Sequence, residues 1–298
     1  MMVNVETNTV AEIKGLVKRY KGFTLGPIDL QLESGYVYGV IGQNGAGKTT
    51  LLKAMMNLVQ PTQGTIRVFN MDYAGHEQDI KRQIGYVPEE PFLYQLMKPD
   101  WFGRFVAPFY PRWDAQEYDK LLADLQIDRS KTVKQMSRGT KVKLELALAL
   151  AHHPSLLLLD EPTSGLDPLI RRQILDKLAG VVQDETRTVV FSTHITEDVE
   201  RIADYIVFIV DGAVALFAER ESLRDDWQEL ILNADDMTGL PGIEKVIETQ
   251  NSVVRVTCSQ ASTALRRLRQ KGKSPIHARP LSLDDILAAL AGRQNSAT

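Results

Sequence analysis

Between Gly42 and Thr50 the chain reads Gly-Gln-Asn-Gly-Ala-Gly-Lys-Thr-Thr, and no other stretch restricts the fold so sharply. Gly42, Gly47, Lys48 and Thr49 match the phosphate-loop spacing G-x-x-x-x-G-K-S/T. Tyr36 to Ile41 before it is a short apolar, β-prone run, and Leu51 to Met56 after it reads as a helix. Strand, glycine loop and helix together are the context that makes such a motif a site. The glycines let the backbone curl so that several N–H groups converge on one anion, and the helix N-terminus adds partial positive charge. In that geometry Lys48 reaches the β- and γ-phosphates of a nucleotide, and the Thr49 hydroxyl meets a magnesium ion.

The flanking pattern agrees with an α/β core. Residues 11–33 alternate apolar and polar, which predicts antiparallel strands, and a further strand pair is expected around Thr65 to Phe69. Ile84 to Val87 reads as a short strand stopped by Pro88. Helical signals run from about Pro99 to Leu125 and resume in a helix that begins near Thr140. That helix is apolar on nearly all faces, so it is expected to be buried, with Pro154 ending it. Lys141, Lys143 and Glu145 read as its solvated face. Leu156 to Leu159 and Val189 to Phe191 are continuous apolar runs, the pattern of strands covered on both faces of a parallel sheet. Leu169 to Val182 between them has helical periodicity. Tyr205 to Val210 is one more strand, and Asp211-Gly212 opens a hairpin. Strands and helices alternating around a phosphate loop indicate an α/β core.

Near Arg220 to Trp227 the composition turns charged, which reads as a linker. Beyond it short strands (230–232, 246–248, 253–258) and helices (261–270, 283–290) suggest a small α+β domain of roughly 70 residues, near the lower limit of independent stability. The expected division is residues 1–222, with a helical subdomain at about 90–150, and residues 223–298.

A net charge of −3 gives no basic surplus to attract nucleic acid. The single cysteine, Cys258, excludes an intrachain disulfide framework, fits a reducing compartment and reads as a small buried strand residue. The first nine residues are polar and acidic, unlike a signal peptide. No apolar run approaches the roughly 18 residues that span a bilayer, and the richest, Leu144 to Leu159, is broken by His152, His153 and Pro154. A membrane role therefore needs a partner chain. His76, His152, His153 and His277 lack metal-ligand spacing and read as surface or turn residues.

Two further constellations carry chemistry. The run Leu156 to Leu159 ends in Asp160-Glu161, placing two carboxylates at the end of a buried strand. Beside a phosphate loop, Asp160 can hold magnesium directly or through water, and Glu161 is left to polarise an attacking water. Met136-Ser137-Arg138-Gly139-Thr140 precedes the buried helix; Ser137 is a good N-cap, and Gly139 allows close approach of the backbone to a ligand.

In this order and spacing, the phosphate loop, Asp160-Glu161, Ser164-Gly165-Leu166-Asp167 and Ser192-Thr193-His194 resemble the nucleotide-binding subunit of an ATP-binding cassette (ABC) transporter. The resemblance covers residues 11 to about 218, and Met136 to Thr140 corresponds to the family signature, usually Leu-Ser-Gly-Gly-Gln. It implies a phosphate-loop NTPase fold of the ABC ATPase type, with a parallel-sheet core, an antiparallel β subdomain and a helical subdomain. The small C-terminal α+β domain is additional to that fold. It also implies that ATP is bound by Gly42, Asn44, Gly45, Gly47, Lys48, Thr49 and Thr50, with Tyr20 stacking on adenine. Magnesium would be met by Thr49, Asp160 and Glu89, which stands where a lid glutamine is usual. Ser137 and Gly139 would meet the γ-phosphate of ATP held by the other subunit of a head-to-tail dimer, homo- or heteromeric. Glu161 is the implied catalytic base, His194 the γ-phosphate sensor and Asp167 a contact across the dimer.

Arg138 and Thr140 depart from the signature and Glu89 from the lid glutamine, and the chain looks most similar to exporter ATPases for drugs and antimicrobial peptides. The implied partner is an integral membrane permease, and the implied location is the cytoplasmic face of the membrane. Phe92 to Tyr118 holds nine aromatic side chains, either the core of the helical subdomain or a groove for a short helix of that permease. The alternative, a soluble ABC-type ATPase acting on ribosomes or DNA, usually brings two cassettes in one chain or long coiled coils, and neither is present. A sugar-type importer ATPase would bring a larger C-terminal domain.

Overall fold

The computed structural model describes residues 9–183, 186–250 and 252–295; the polar start at residues 1–8 lies outside them. Strands β1 (Thr9–Tyr20) and β2 (Phe23–Glu33) pair antiparallel, and β3 (Val37–Ile41) runs through the glycine loop into α1 (Lys48–Met55). Strands β4 (Gln63–Val68) and β5 (Met71–Asp72) return to β1, giving an antiparallel sheet of order β2-β1-β4-β5. Helix α2 (Tyr73–Lys81) leads to β6 (Ile84–Val87), and a helical region follows: α3 (Pro99–Val106), α4 (Ala115–Asp124) and α5 (Arg138–Leu150). The chain then alternates through β7 (Leu156–Asp160), α6 (Pro168–Val181), β8 (Thr188–Thr193), α7 (Thr196–Ile202), β9 (Tyr205–Val210) and β10 (Ala213–Glu219).

The central sheet has the order β10-β9-β3-β8-β7-β6, parallel except for β10. Strands β3, β7 and β8 are buried at every residue, as continuous apolar runs with helices on both faces require. Their register sets Ile41 beside Thr193 and Asp160 beside Ser192, so the ends of β3, β8 and β7 meet on one edge. Ligands of open α/β sheets bind at that edge, outside the carboxyl ends of the strands. The β9–β10 turn has φ of 46° at Asp211 and 82° at Gly212, the two positive values that a two-residue hairpin needs.

The remaining elements are α8 (Arg220–Asp226), β11 (Gln228–Asn233), α9 (Ala234–Met237), β12 (Ile243–Gln250), β13 (Val253–Cys258), α10 (Ala261–Gln270), β14 (His277–Pro280) and α11 (Leu283–Asn295). They build an antiparallel sheet of order β12-β13-β11-β14, a βαββαβ unit with its own core around Leu230, Val256 and Leu268. Cys258 is buried in β13, as expected. On the face of this sheet away from that core, Arg279 donates two hydrogen bonds to Glu229 at 2.9 and 3.1 Å.

Several expectations are corrected. The charged stretch 220–227 is the helix α8, not a linker, because its charges leave Leu223 and Trp227, one turn apart, on a buried stripe. Both lie in the main core, and so do Leu283, Ile286 and Leu290 of α11, which returns from the small sheet to pack with Val199 and Phe208. A boundary at residue 222 therefore cuts through α8. Helix α5 stops at Leu150, short of Pro154, with His153 in the left-handed region. His152 lies in the turn after α5, one of the two places expected for it, and is buried there against the ring of Tyr110, 4.0 Å away. Lys143 and Glu145 are also buried, since most of α5 is packed into the core, while Lys141 stays half-buried.

Burial pushes the Glu145 carboxyl up to about 8, and its Oε1 accepts the Phe92 N–H at 3.0 Å. A carboxyl that is neutral when folded and ionised when unfolded makes stability fall as pH rises from the usual carboxylate range to about 8. Glu145→Gln removes this contribution. Its thermal unfolding should show a flatter slope across that window and a stability gain at pH 8 on the order of a few kcal/mol. Parallel slopes in the two proteins would contradict a neutral Glu145.

Candidate active site

At Gly42 and Gly47 the glycine loop is wedged between walls that leave no room for a side chain. A Cβ on Gly42 would stand 2.3 Å from the Ile209 carbonyl oxygen. Gly47 has φ of 110°, and a Cβ there would meet Leu25 Cδ1 at 2.6 Å. Helix α1 starts at Lys48 without a side-chain cap at Gly47, which leaves first-turn N–H donors for an anion.

Lys48 and Glu161 form the centre of the site. Lys48 is buried, and its Nζ donates to the carbonyls of Gly42 and Gln43 at 2.9 and 3.3 Å. The same nitrogen lies 3.1 Å from Glu161 Oε1, and both side chains are about 95 % buried by relative exposures of 5% and 6%. Glu161 Oε2 is 2.8 Å from His194 Nδ1. The Glu161 N–H donates to Ser192 Oγ at 3.0 Å, and its φ of 49° is a left-handed conformation that β-strands exclude. The turn after β7 thus aims the carboxylate back toward the phosphate loop.

Asp160 sits one residue earlier. Its Oδ1 accepts from Thr49 Oγ1 at 3.0 Å and from Ser192 Oγ at 2.6 Å, while Oδ2 is buried with no hydrogen-bond partner. A buried carboxylate oxygen without a partner is costly. With the Thr49 hydroxyl alongside, this hard-oxygen donor set fits a magnesium ion.

These groups face a cleft of about 420 Å³ that Tyr20, Thr49, Glu89, Glu161, Ser164 and His194 help to line. Asn44, Gly45, Gly47, Lys48 and Thr50 line it as well. Tyr20 is 45% exposed, with Lys18 Nζ 5.4 Å from its ring centroid. Ser137 and Gly139 are not among the residues lining the cleft. Ser137 caps α5, accepting the Thr140 N–H at 3.2 Å, and the free side of Gly139 opens on Ile170, whose Cγ2 would stand 3.0 Å from a Cβ. Arg138 lies over Gly165 of its own chain, its Nη1 3.3 Å from where a Cβ would be. Asp167 caps α6 through the N–H groups of Leu169 and Ile170, each at 3.1 Å.

Sequence reasoning missed a buried network behind the site. Asp198 is fully buried; its Oδ2 accepts from Thr163 Oγ1 at 2.5 Å, and its Oδ1 pairs with Arg171 Nε at 2.5 Å. It ties the turn that carries Glu161 to α6 and α7. Residues 163, 171 and 198 come from three separate segments, so no local pattern announces the contact.

A family model described as "ABC transporter" matches residues 25–164. The lantibiotic transport ATP-binding protein SrtF of Streptococcus pyogenes is 35% identical over 225 residues, covering 74% of this chain and 96% of that protein. The chain belongs to the ABC transporter family. This ABC ATP-binding subunit is similar over more of its length to the ABC transporter ATP-binding protein YtrB of Bacillus subtilis. That likeness is 25% identity over 289 residues, 94% of this chain and 98% of YtrB, and so extends into the C-terminal sheet. The solved structure of an ATP-binding subunit of an ABC transporter superposes with a TM-score of 0.66 at 28% identity, covering 72% of this chain and 92% of that chain.

Replacing Arg171 by alanine would leave the Asp198 carboxylate buried with only the Thr163 hydroxyl. Chemical denaturation should register a loss of about 3 kcal/mol. An unchanged midpoint and slope would mean that Arg171 is not needed to keep that charge buried.

Proposed function

We propose that this ABC ATPase works as one half of a head-to-tail pair and drives an exporter whose membrane-spanning part is a separate permease chain. The observation that carries the reading is the meeting of Lys48, Glu161 and His194 at one strand edge, with Thr49 on Asp160 beside them. Ser137 and Gly139 lie outside that cleft, which supports a site completed by a second subunit. Similarity to a lantibiotic transport ATP-binding protein supports placing the chain with exporters of drugs and antimicrobial peptides.

Before nucleotide binds, Glu161 is the counter-ion of Lys48. A triphosphate entering the loop, with adenine on Tyr20 and its phosphates on the N–H groups from Asn44 to Thr50, competes for the ammonium. Lys48 then turns to the β- and γ-phosphates, and Glu161 Oε1 is released to accept a proton from the attacking water. His194 keeps Glu161 Oε2 and turns its other ring nitrogen toward the γ-phosphate. Thr49 and Asp160, with Glu89 at the lid, would hold the magnesium ion, which neutralises charge on the β- and γ-phosphate oxygens when bound.

Among the described residues no helix is long and apolar enough to cross a membrane. The aromatic segment divides: Phe102 and Tyr118 are buried in the core, whereas Phe92, Tyr94, Leu96 and Phe109 are exposed. The exposed half is where we place the permease, with this subunit on the cytoplasmic face of the membrane.

Two variants test the reading with purified protein. Lys48→Ala should lose ATP binding, because among the described residues no other lysine or arginine lines the cleft. Glu161→Gln should still bind ATP, hydrolyse it about 10² to 10⁴ more slowly, and elute as a dimer with ATP and magnesium. Wild-type turnover by Glu161→Gln would remove Glu161 from the role of base.

A further inference from the structure

We infer that Asp284, on the last helix, is a positioning residue of the ATPase site: its hydrogen bond to Thr196 holds the turn that presents His194 to Glu161. The inference rests on the reading of Glu161 and His194 as the hydrolytic pair.

Helix α11 is tied to the elements that form the site. Leu283, Ile286 and Leu290, at helical spacing, are buried against Val199 of α7 and Phe208 of β9. Helix α7 begins at Thr196, two residues after His194, and its N-cap residue Ile195 supplies no side-chain cap. Asp284 Oδ2 accepts from Thr196 Oγ1 at 3.1 Å, reaching across 88 residues of sequence. Its carboxylate thereby stands at the positive end of α7. The turn is closed on its other side by the Ile195 N–H, which donates to Thr193 Oγ1 at 3.0 Å. His194, between these two fastenings, is the residue 2.8 Å from Glu161.

Two further contacts hold α11 itself. Arg293 pairs with Glu244 and bonds Ser259 at 3.2 Å, and its guanidinium lies 5.2 Å from the Trp227 ring centroid. The C-terminal sheet therefore anchors the far end of the helix. On the opposite side, Leu287 and Ala291 line a cavity of about 640 Å³ together with Gln43 to Ala46, the outer side of the phosphate loop. One helix thus meets the turn that carries His194 and faces the phosphate loop across that cavity.

Packing alone does not account for Asp284. The three buried apolar residues already seat α11, while Asp284 is exposed and covers no core. Its bond goes to the hydroxyl of a Thr196 that is only 7% exposed.

The test uses the full-length chain, with Thr196→Val and Asp284→Ala as the disrupting variants and Thr196→Ser and Asp284→Asn as conservative ones that keep a donor and an acceptor. Steady-state ATPase and equilibrium ATP binding are measured for all four and for the double variant Thr196→Val/Asp284→Ala. Each disrupting variant should lower kcat about tenfold with ATP affinity unchanged, and the double variant should be no slower than either, the non-additivity of contacting residues. The conservative variants should recover most of the rate. Wild-type kcat in Asp284→Ala, or rate losses that multiply in the double variant, would overturn the inference. His194→Ala separates the two levels of the reading. If it is inactive while Asp284→Ala is fully active, only the positioning role fails; if it turns over at the wild-type rate, the hydrolytic pair itself is wrong.

Discussion

An ammonium and a carboxylate buried 3.1 Å apart, Lys48 and Glu161, set the conditions that the rest of the site has to meet. Taking both charges out of water is favourable only when every remaining donor and acceptor is matched. The surrounding contacts do this: carbonyls of Gly42 and Gln43 for the lysine, His194 for the second carboxylate oxygen. Because the lysine's partners are two neutral carbonyls and one carboxylate counter-ion, a polyanion can displace the counter-ion without dismantling the loop. A site of this kind is assembled before its ligand arrives, and little has to be reorganised when it does.

Sheet topology is what brings the pair together. Lys48 follows β3 and Glu161 follows β7, with β8 between them, and the parallel register places all three strand ends at one level. The glycines of the loop serve packing as much as ligand approach, since Ile209 of β9 and Leu25 of β2 occupy the space that side chains would need. The antiparallel sheet is therefore a wall of the phosphate loop as well as the support of Tyr20.

What was legible in the sequence was local. The phosphate loop, the buried runs before Asp160 and Ser192, and the Asp211-Gly212 hairpin each carry their physics within about ten residues, and each lies where expected. Contacts assembled across long separations were not legible. Lys143 and Glu145 look solvated because they are charged, yet the core closes over both of them on α5. Leu223 and Trp227 are two apolar residues in a charged stretch, too few for periodicity to register, and they bury the helix that was read as a linker. The Asp198 network and the return of α11 to the core depend on tertiary placement alone.

The exposed aromatic segment also bears on how the chain is produced. Phe92 is 85% exposed, Leu96 73% and Phe109 62%, a concentration of apolar surface that soluble monomers rarely leave bare. Copies made in excess of whatever covers this surface would meet one another through it. On the proposed placement of the permease at this surface, supply of the chain is best matched to supply of that permease.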